Sequence, residues 1–113
     1  MEKFVVRKMW ALIDDPTPYN YNAYSVFEKV RDAACLTQMR EIGVFADESE
    51  ARKCYAISKP QARIYDVWSG DRRKFHADVI VLEKDIYEDG VSIDRSETLE
   101  WCAMPCEPPE SKF

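Results

Sequence analysis

Between residues 3 and 13 the apolar side chains Phe4, Val6, Trp10 and Leu12 fall on even positions among β-branched and aromatic neighbours. A period of two predicts a strand with one buried face, interrupted at Lys8. The DDPTPYNYN segment that follows holds two prolines and two asparagines, which predicts a loop with Tyr19, Tyr21 and Tyr24 on or near it. The period then lengthens. Ala23, Val26, Phe27, Val30, Ala33 and Ala34 follow helical spacing, and Ser25 with Glu28 forms a capping box, so a helix is expected over about 24–35. Carrying it on to Ile42 would put Thr37, Gln38 and Glu41 on the apolar stripe, which favours a break and an extended TQMREIGVF segment; one longer helix with a rotating stripe is the competitor.

Asp47 and Glu50 form a second capping box, after which Ala51, Cys54 and Tyr55 align on the core side of a short helix that must end before Pro60. From residue 62 the period returns to two. ARIYDVW, KFHADVIVLEKDIY and TLEWCAM read as strands, and the SGDRR and EDG turns between them predict antiparallel hairpins. The expectation is an α+β fold: an N-terminal strand, one or two helices, then an antiparallel β-meander. These elements describe one compact domain over 1–104, with a Pro/Glu-rich tail at 105–113.

The run REIGVFADESEARKCYAI resembles the strand, short turn and alanine-bearing helix of many small uncharacterised bacterial and phage proteins. The resemblance covers about a sixth of the chain. It implies a small phage-like accessory domain and brings no catalytic residues. Size and style add an analogy to anti-CRISPR and other anti-defence inhibitors.

Composition supports an ordered domain, since 46% of the 113 residues are hydrophobic and only three are glycine. A chain of this length builds a core without metal or disulfide. In MEKFVVRKMWALIDD the charges of Arg7 and Lys8 interrupt the apolar run and no small-residue cleavage site follows, so neither a signal peptide nor a membrane span is expected. The expected compartment is the cytoplasm, where the four cysteines stay reduced.

Net charge is −5, but the charges are segregated. Residues 14–50 hold three basic and eight acidic side chains, 51–76 seven and two, and 77–113 three and ten. Blocks of this kind predict separate acidic and basic faces, which suit binding, including self-association as a homodimer.

Catalytic and metal signatures are weak. Cys102 and Cys106 are four residues apart, about 13 Å in an extended chain, too far for a disulfide or shared zinc unless the chain turns at Met104 and Pro105. The paired spacings of structural zinc and of thioredoxin-like redox sites are both missing. His76, the single histidine, shares a strand face with Asp78, an arrangement that would orient a base if a cysteine stood nearby. DIYEDGVSIDRSE has Asp85, Asp89 and Gly90 at three calcium-loop positions but Tyr87 and Ser96 at two others, so an acidic β-turn explains it better. No metal, no cofactor and no catalysis are expected.

Two surfaces remain as candidate sites. The first is the acidic hairpin, whose Asp85, Tyr87, Glu88, Asp89, Asp94, Glu97 and Trp101 offer carboxylates with aromatic anchors for a larger host protein, such as a nucleic-acid-processing complex. The second is the basic segment 52–74, in which Arg63, Tyr65, Trp68, Arg72, Arg73 and Lys74 combine cations with rings that can stack on bases. The sequence pI near 4.9 argues against direct nucleic-acid binding unless that patch is isolated in space. A non-catalytic interaction protein using the hairpin is therefore the first expectation, nucleic-acid binding the alternative, and a zinc- or thiol-dependent protein the third.

Overall fold

In the computed structural model, residues 1–14, 23–33, 38–70 and 72–103 are described. The elements are β1 (Glu2–Asp14), α1 (Ala23–Ala33), β2 (Met39–Phe45), α2 (Glu48–Ser58) with a 3-10 turn at Lys59–Gln61, β3 (Arg63–Ser69), β4 (Arg72–Glu88) and β5 (Val91–Cys102). This is the expected α+β fold, with an antiparallel sheet. The TQMREIGVF segment contributes strand β2, which removes the longer-helix alternative.

The sheet is built on one long ribbon. β1 and β4 pair continuously from Glu2 opposite Ile86 to Asp14 opposite Lys74. β2 lies on the outer edge of β1, from Phe4 opposite Phe45 to Met9 opposite Met39. The other edge of β4 is shared end to end: β3 pairs with its first half, up to Asp78, and β5 with its second, from Ile80 to Glu88.

Each helix covers one half of one face. α1 packs on the odd-numbered side chains, where Met9, Ala11, Ile13, Ala77, Val79 and Val81 meet Val26, Phe27 and Val30. Trp101 joins this core by stacking on Phe27, with ring centroids 4.8 Å apart. α2 packs on the even-numbered side chains at the opposite end, where Val6, Ile80 and Leu82 meet Ala51 and Tyr55. The run Val79–Leu82 is buried throughout because both covers overlap there.

This arrangement corrects the reading of β1 as a strand with one buried face. Val6 is buried beneath α2, whereas Met9, Ala11 and Ile13 are buried beneath α1, and Leu12 is 49% exposed. The cores lie on opposite faces at opposite ends, so the buried parity switches along the strand. Ser25 is likewise displaced: α1 begins at Ala23, which puts Ser25 inside its first turn rather than at its cap.

Local signals fix the remaining boundaries. Asp47 caps α2, its carboxylate accepting a hydrogen bond from the Ser49 amide at 3.3 Å. At the β4–β5 turn Asp89 and Gly90 have φ of 53° and 80°, the two positive values that a type I′ hairpin requires. β5 starts directly after this turn and is interrupted by three register irregularities. No helix among the described residues is long and apolar enough to cross a membrane. The tail at 105–113, with Cys106, lies outside the described residues, as do Tyr19, Tyr21 and Cys35.

Candidate functional site

Because each helix covers only half a face, each face has an uncovered half carrying polar side chains. On the α1 side the bare half is at the hairpin end. Arg7 points there, bonded to Glu83 at 2.7 Å, Asp85 at 2.5 Å and Glu41 at 3.2 Å. Arg7, Glu83 and Asp85 are all buried. Burial opposes the charge on Arg7, but the hydrogen bonds and charges of Asp85 and Glu83 outweigh it and raise its pKa. Tyr87 is also buried, and its hydroxyl donates to Glu41 at 2.9 Å.

Three of the expected partner-binding residues are engaged within the chain. Asp85 neutralises Arg7 inside the sheet, Tyr87 holds Glu41, and Trp101 belongs to the α1 core. Glu97 pairs with Lys84 at 3.9 Å, and Glu100 with Arg52. Of Asp94 only its strand position, opposite Ile86, is described. Glu88 and Asp89 remain exposed at the turn, as expected.

Apolar side chains that the sequence reading did not single out accompany them. Val91 is 62% and Ile93 56% exposed just past the turn, and Met1 and Val44 are exposed at the same end of the sheet. Met1, Lys3, Glu41, Val44, Tyr87 and Asp89 line a cavity of about 380 Å³. Glu41, which pairs with Arg7, is shared between the cavity wall and the ion cluster. The missed signal was the hydrophobic spacing of Val91 and Ile93, obscured by the acidic residues around them.

The bare half on the α2 side has the opposite character. Its side chains form rows across the sheet: Arg40 opposite Lys8, then Trp10, Asp78 and Arg63, then Leu12, His76 and Tyr65. Asp78 is buried and holds the rows together. It accepts hydrogen bonds from Arg63 Nε at 3.0 Å and His76 Nε2 at 2.8 Å, and Lys8 Nζ lies 3.9 Å away. The hydrogen bond and charge of Asp78 raise the pKa of Arg63. Tyr65 stacks on His76 at 4.9 Å, and the Arg63 guanidinium lies over the Tyr65 ring at 5.2 Å. A cavity of about 210 Å³ opens between Lys8, Trp10, Arg40, Arg63, His76 and Asp78.

This surface brings together Arg63 and Tyr65 of the expected basic segment with Lys8, Trp10 and Arg40, which lie far from it in sequence. Arg52 is excluded, being paired with Glu48 and Glu100 beside α2. Lys74 follows His76 by one row on β4, opposite Val67; of Trp68, Arg72 and Arg73 only strand positions are described. Lys8, read as a break in an apolar strand face, is in fact a functional-site candidate whose neighbours become visible only once β1 is paired with β2 and β4.

The His76–Asp78 pair exists, but among the described residues no cysteine joins it: Cys102 is buried in the α2 core, and Cys54 packs against the same core. No group of three metal-ligating side chains occurs among the described residues. Asp85, bound to Arg7, cannot serve a calcium loop. What the α2-side surface can do chemically is hold an anion, and what the hairpin end can do is bury apolar area beside carboxylates. Comparison with protein-family models, with curated proteins and with solved structures gave no match, so these two surfaces stand on their geometry alone.

Proposed function

We propose that this chain is a non-catalytic accessory or inhibitor protein of the cytoplasm that docks a larger protein at the hairpin end of its sheet. The observation that supports it is the exposed set Met1, Val44, Val91 and Ile93 at one end of the sheet with Glu88 and Asp89, where Met1, Val44 and Asp89 line the 380 Å³ cavity. Exposed apolar side chains gathered at one end and rimmed by charge are the usual composition of a protein-binding patch. The complementary partner carries apolar side chains for the cavity and cations for the turn. β5 also has an outer edge to which an extended segment can add. By analogy of size and style, the reading extends to phage-encoded anti-defence inhibitors.

The test is affinity capture from a host lysate, with and without nuclease, comparing wild type with a Glu88→Lys, Asp89→Asn, Val91→Asp variant shown to fold by circular dichroism. A stoichiometric protein that survives nuclease, is lost by this variant and is kept by Arg40→Ala is the expected result. Equal recovery by the hairpin-end variant would remove that end from the interface.

A further inference from the structure

We infer that the bare half-face on the α2 side is a second binding site, for single-stranded nucleic acid, with phosphates held by Lys8, Arg40 and Arg63 and a base laid against Trp10. The inference does not depend on the hairpin end.

The first argument is an electrostatic imbalance. Lys8 and Arg40 are direct cross-strand partners. Like charges so placed destabilise a sheet, and an anion seated between them removes the repulsion. Asp78 is the only carboxylate among the described residues lining this cavity, and it already serves Arg63, His76 and Lys8. Among the described residues no carboxylate pairs with Arg40. An arginine on an exposed strand with no acidic partner, facing a lysine, is better explained by a ligand than by folding.

The second argument is shape. The cations span β2, β1 and β3, with β4 between the last two, so three strand spacings of about 4.8 Å separate Arg40 from Arg63. That distance, about 14 Å, exceeds one phosphate group and matches a chain of them. An open sheet face cannot enter a duplex groove, but it can accept unstacked bases on an aromatic ring. Trp10 supplies that ring within the cavity, and Leu12 extends the apolar surface in the next row. The stacking of Tyr65 on His76, together with the bonds to Asp78, holds Arg63 and His76 in place before any ligand arrives.

The acidic total does not cancel this surface. His76 and Glu88 are twelve residues apart on the same strand, about 40 Å at ~3.3 Å per residue, whereas screening in physiological salt acts within ~8 Å. The basic face therefore meets the sequence-level condition for nucleic-acid binding, isolation in space from the acidic turn.

The experiment is fluorescence polarisation of labelled oligo-U and oligo-dT of about 12 nucleotides, titrated with the intact chain from about 50 mM salt upward. Uridine monophosphate and a duplex of equal length serve as competitors. Binding is expected with a salt slope of about −2, the value for three phosphates at about −0.7 each on a single strand. Arg40→Ala should weaken it severalfold for every sequence and reduce the slope by about 0.7, while Trp10→Phe should weaken it without changing the slope. Glu88→Lys with Asp89→Asn should leave binding unchanged, which separates this site from the hairpin end. No binding by folded protein at about 50 mM salt, or full binding by Arg40→Glu with Arg63→Gln, would overturn the inference. Affinity for the mononucleotide equal to that for the oligomer, or for the duplex equal to that for the single strand, would overturn it as well.

Discussion

Arg7 and Asp85 bond at 2.5 Å although neither is the other's strand partner, since Arg7 stands opposite Val81 and Asp85 opposite Lys3. The guanidinium reaches along the ribbon, past Glu83, to bond one oxygen of each of two buried carboxylates at once. Removing the cation leaves both carboxylates buried without their counter-charge. Arg7→Met is therefore expected to cost about 3–5 kcal/mol, and adding Glu83→Gln and Asp85→Leu should restore much of it. Urea denaturation of the three proteins checks this; an Arg7→Met cost below about 1 kcal/mol would mean that the cluster is solvated.

Tyr87 gives the same end of the molecule an alkaline limit. Burial, followed by its hydrogen bond to Glu41 and the charges of Glu41 and Asp85, pushes its pKa up to about 12 against the pull of Arg7. Above the ordinary phenol value of about 10 the unfolded chain loses this proton while the folded one keeps it, so stability falls as pH rises from 10 to 12. Tyr87→Phe should cost about 0.5–1.5 kcal/mol at neutral pH and flatten that alkaline slope. Denaturation midpoints measured across this window decide it, and an unchanged slope in the variant would assign the effect to another group.

Gly43 in β2 has no room for a side chain. A Cβ there would lie 2.7 Å from the Phe45 ring and 3.4 Å from Cys54 Sγ, because the ring folds back over the glycine beneath α2. Gly43→Ala is expected to destabilise by about 1–3 kcal/mol as Phe45 is displaced from the core. A thermal melt of this variant indistinguishable from wild type would show that the ring moves aside at no cost.

The turn at Asp89 and Gly90 separates charge from conformation. Asp89→Asn keeps a residue tolerant of positive φ and removes the charge, so stability should change by less than about 0.5 kcal/mol. Gly90→Val forces a β-branched residue to φ 80° and should cost about 1 kcal/mol or more, seen first as faster amide exchange in β5 near Val91. Equal exchange in both variants would mean that the turn does not hold the hairpin register.

Much of what depended on neighbours in sequence was legible there, although the Ser25 cap was not. The Asp47 cap, the Pro60 limit of α2 and the Asp89–Gly90 hairpin all follow from local chemistry, whereas residues 39–45 were open to strand or helix until β2 was seen to pair with β1. What depended on pairing β1 with β4 was not legible. Asp85 and Tyr87 looked like surface groups in an acidic stretch, and only the approach of Arg7, 78 residues away, puts Asp85 inside. Lys8 and Arg40 belonged to different segments until β2 was placed beside β1. Trp101 was read with the acids around it, whereas its alternation with Cys102 splits the two between opposite cores.

The half-covered faces have a further consequence. Since α1 and α2 shield opposite ends of opposite faces, the two bare halves look away from each other across a single sheet. A body seated at the hairpin end and a strand lying across Trp10 would occupy opposite faces at opposite ends of the β1–β4 ribbon. Such a molecule is a bridge: it can raise the local concentration of one ligand near the other without any contact between them.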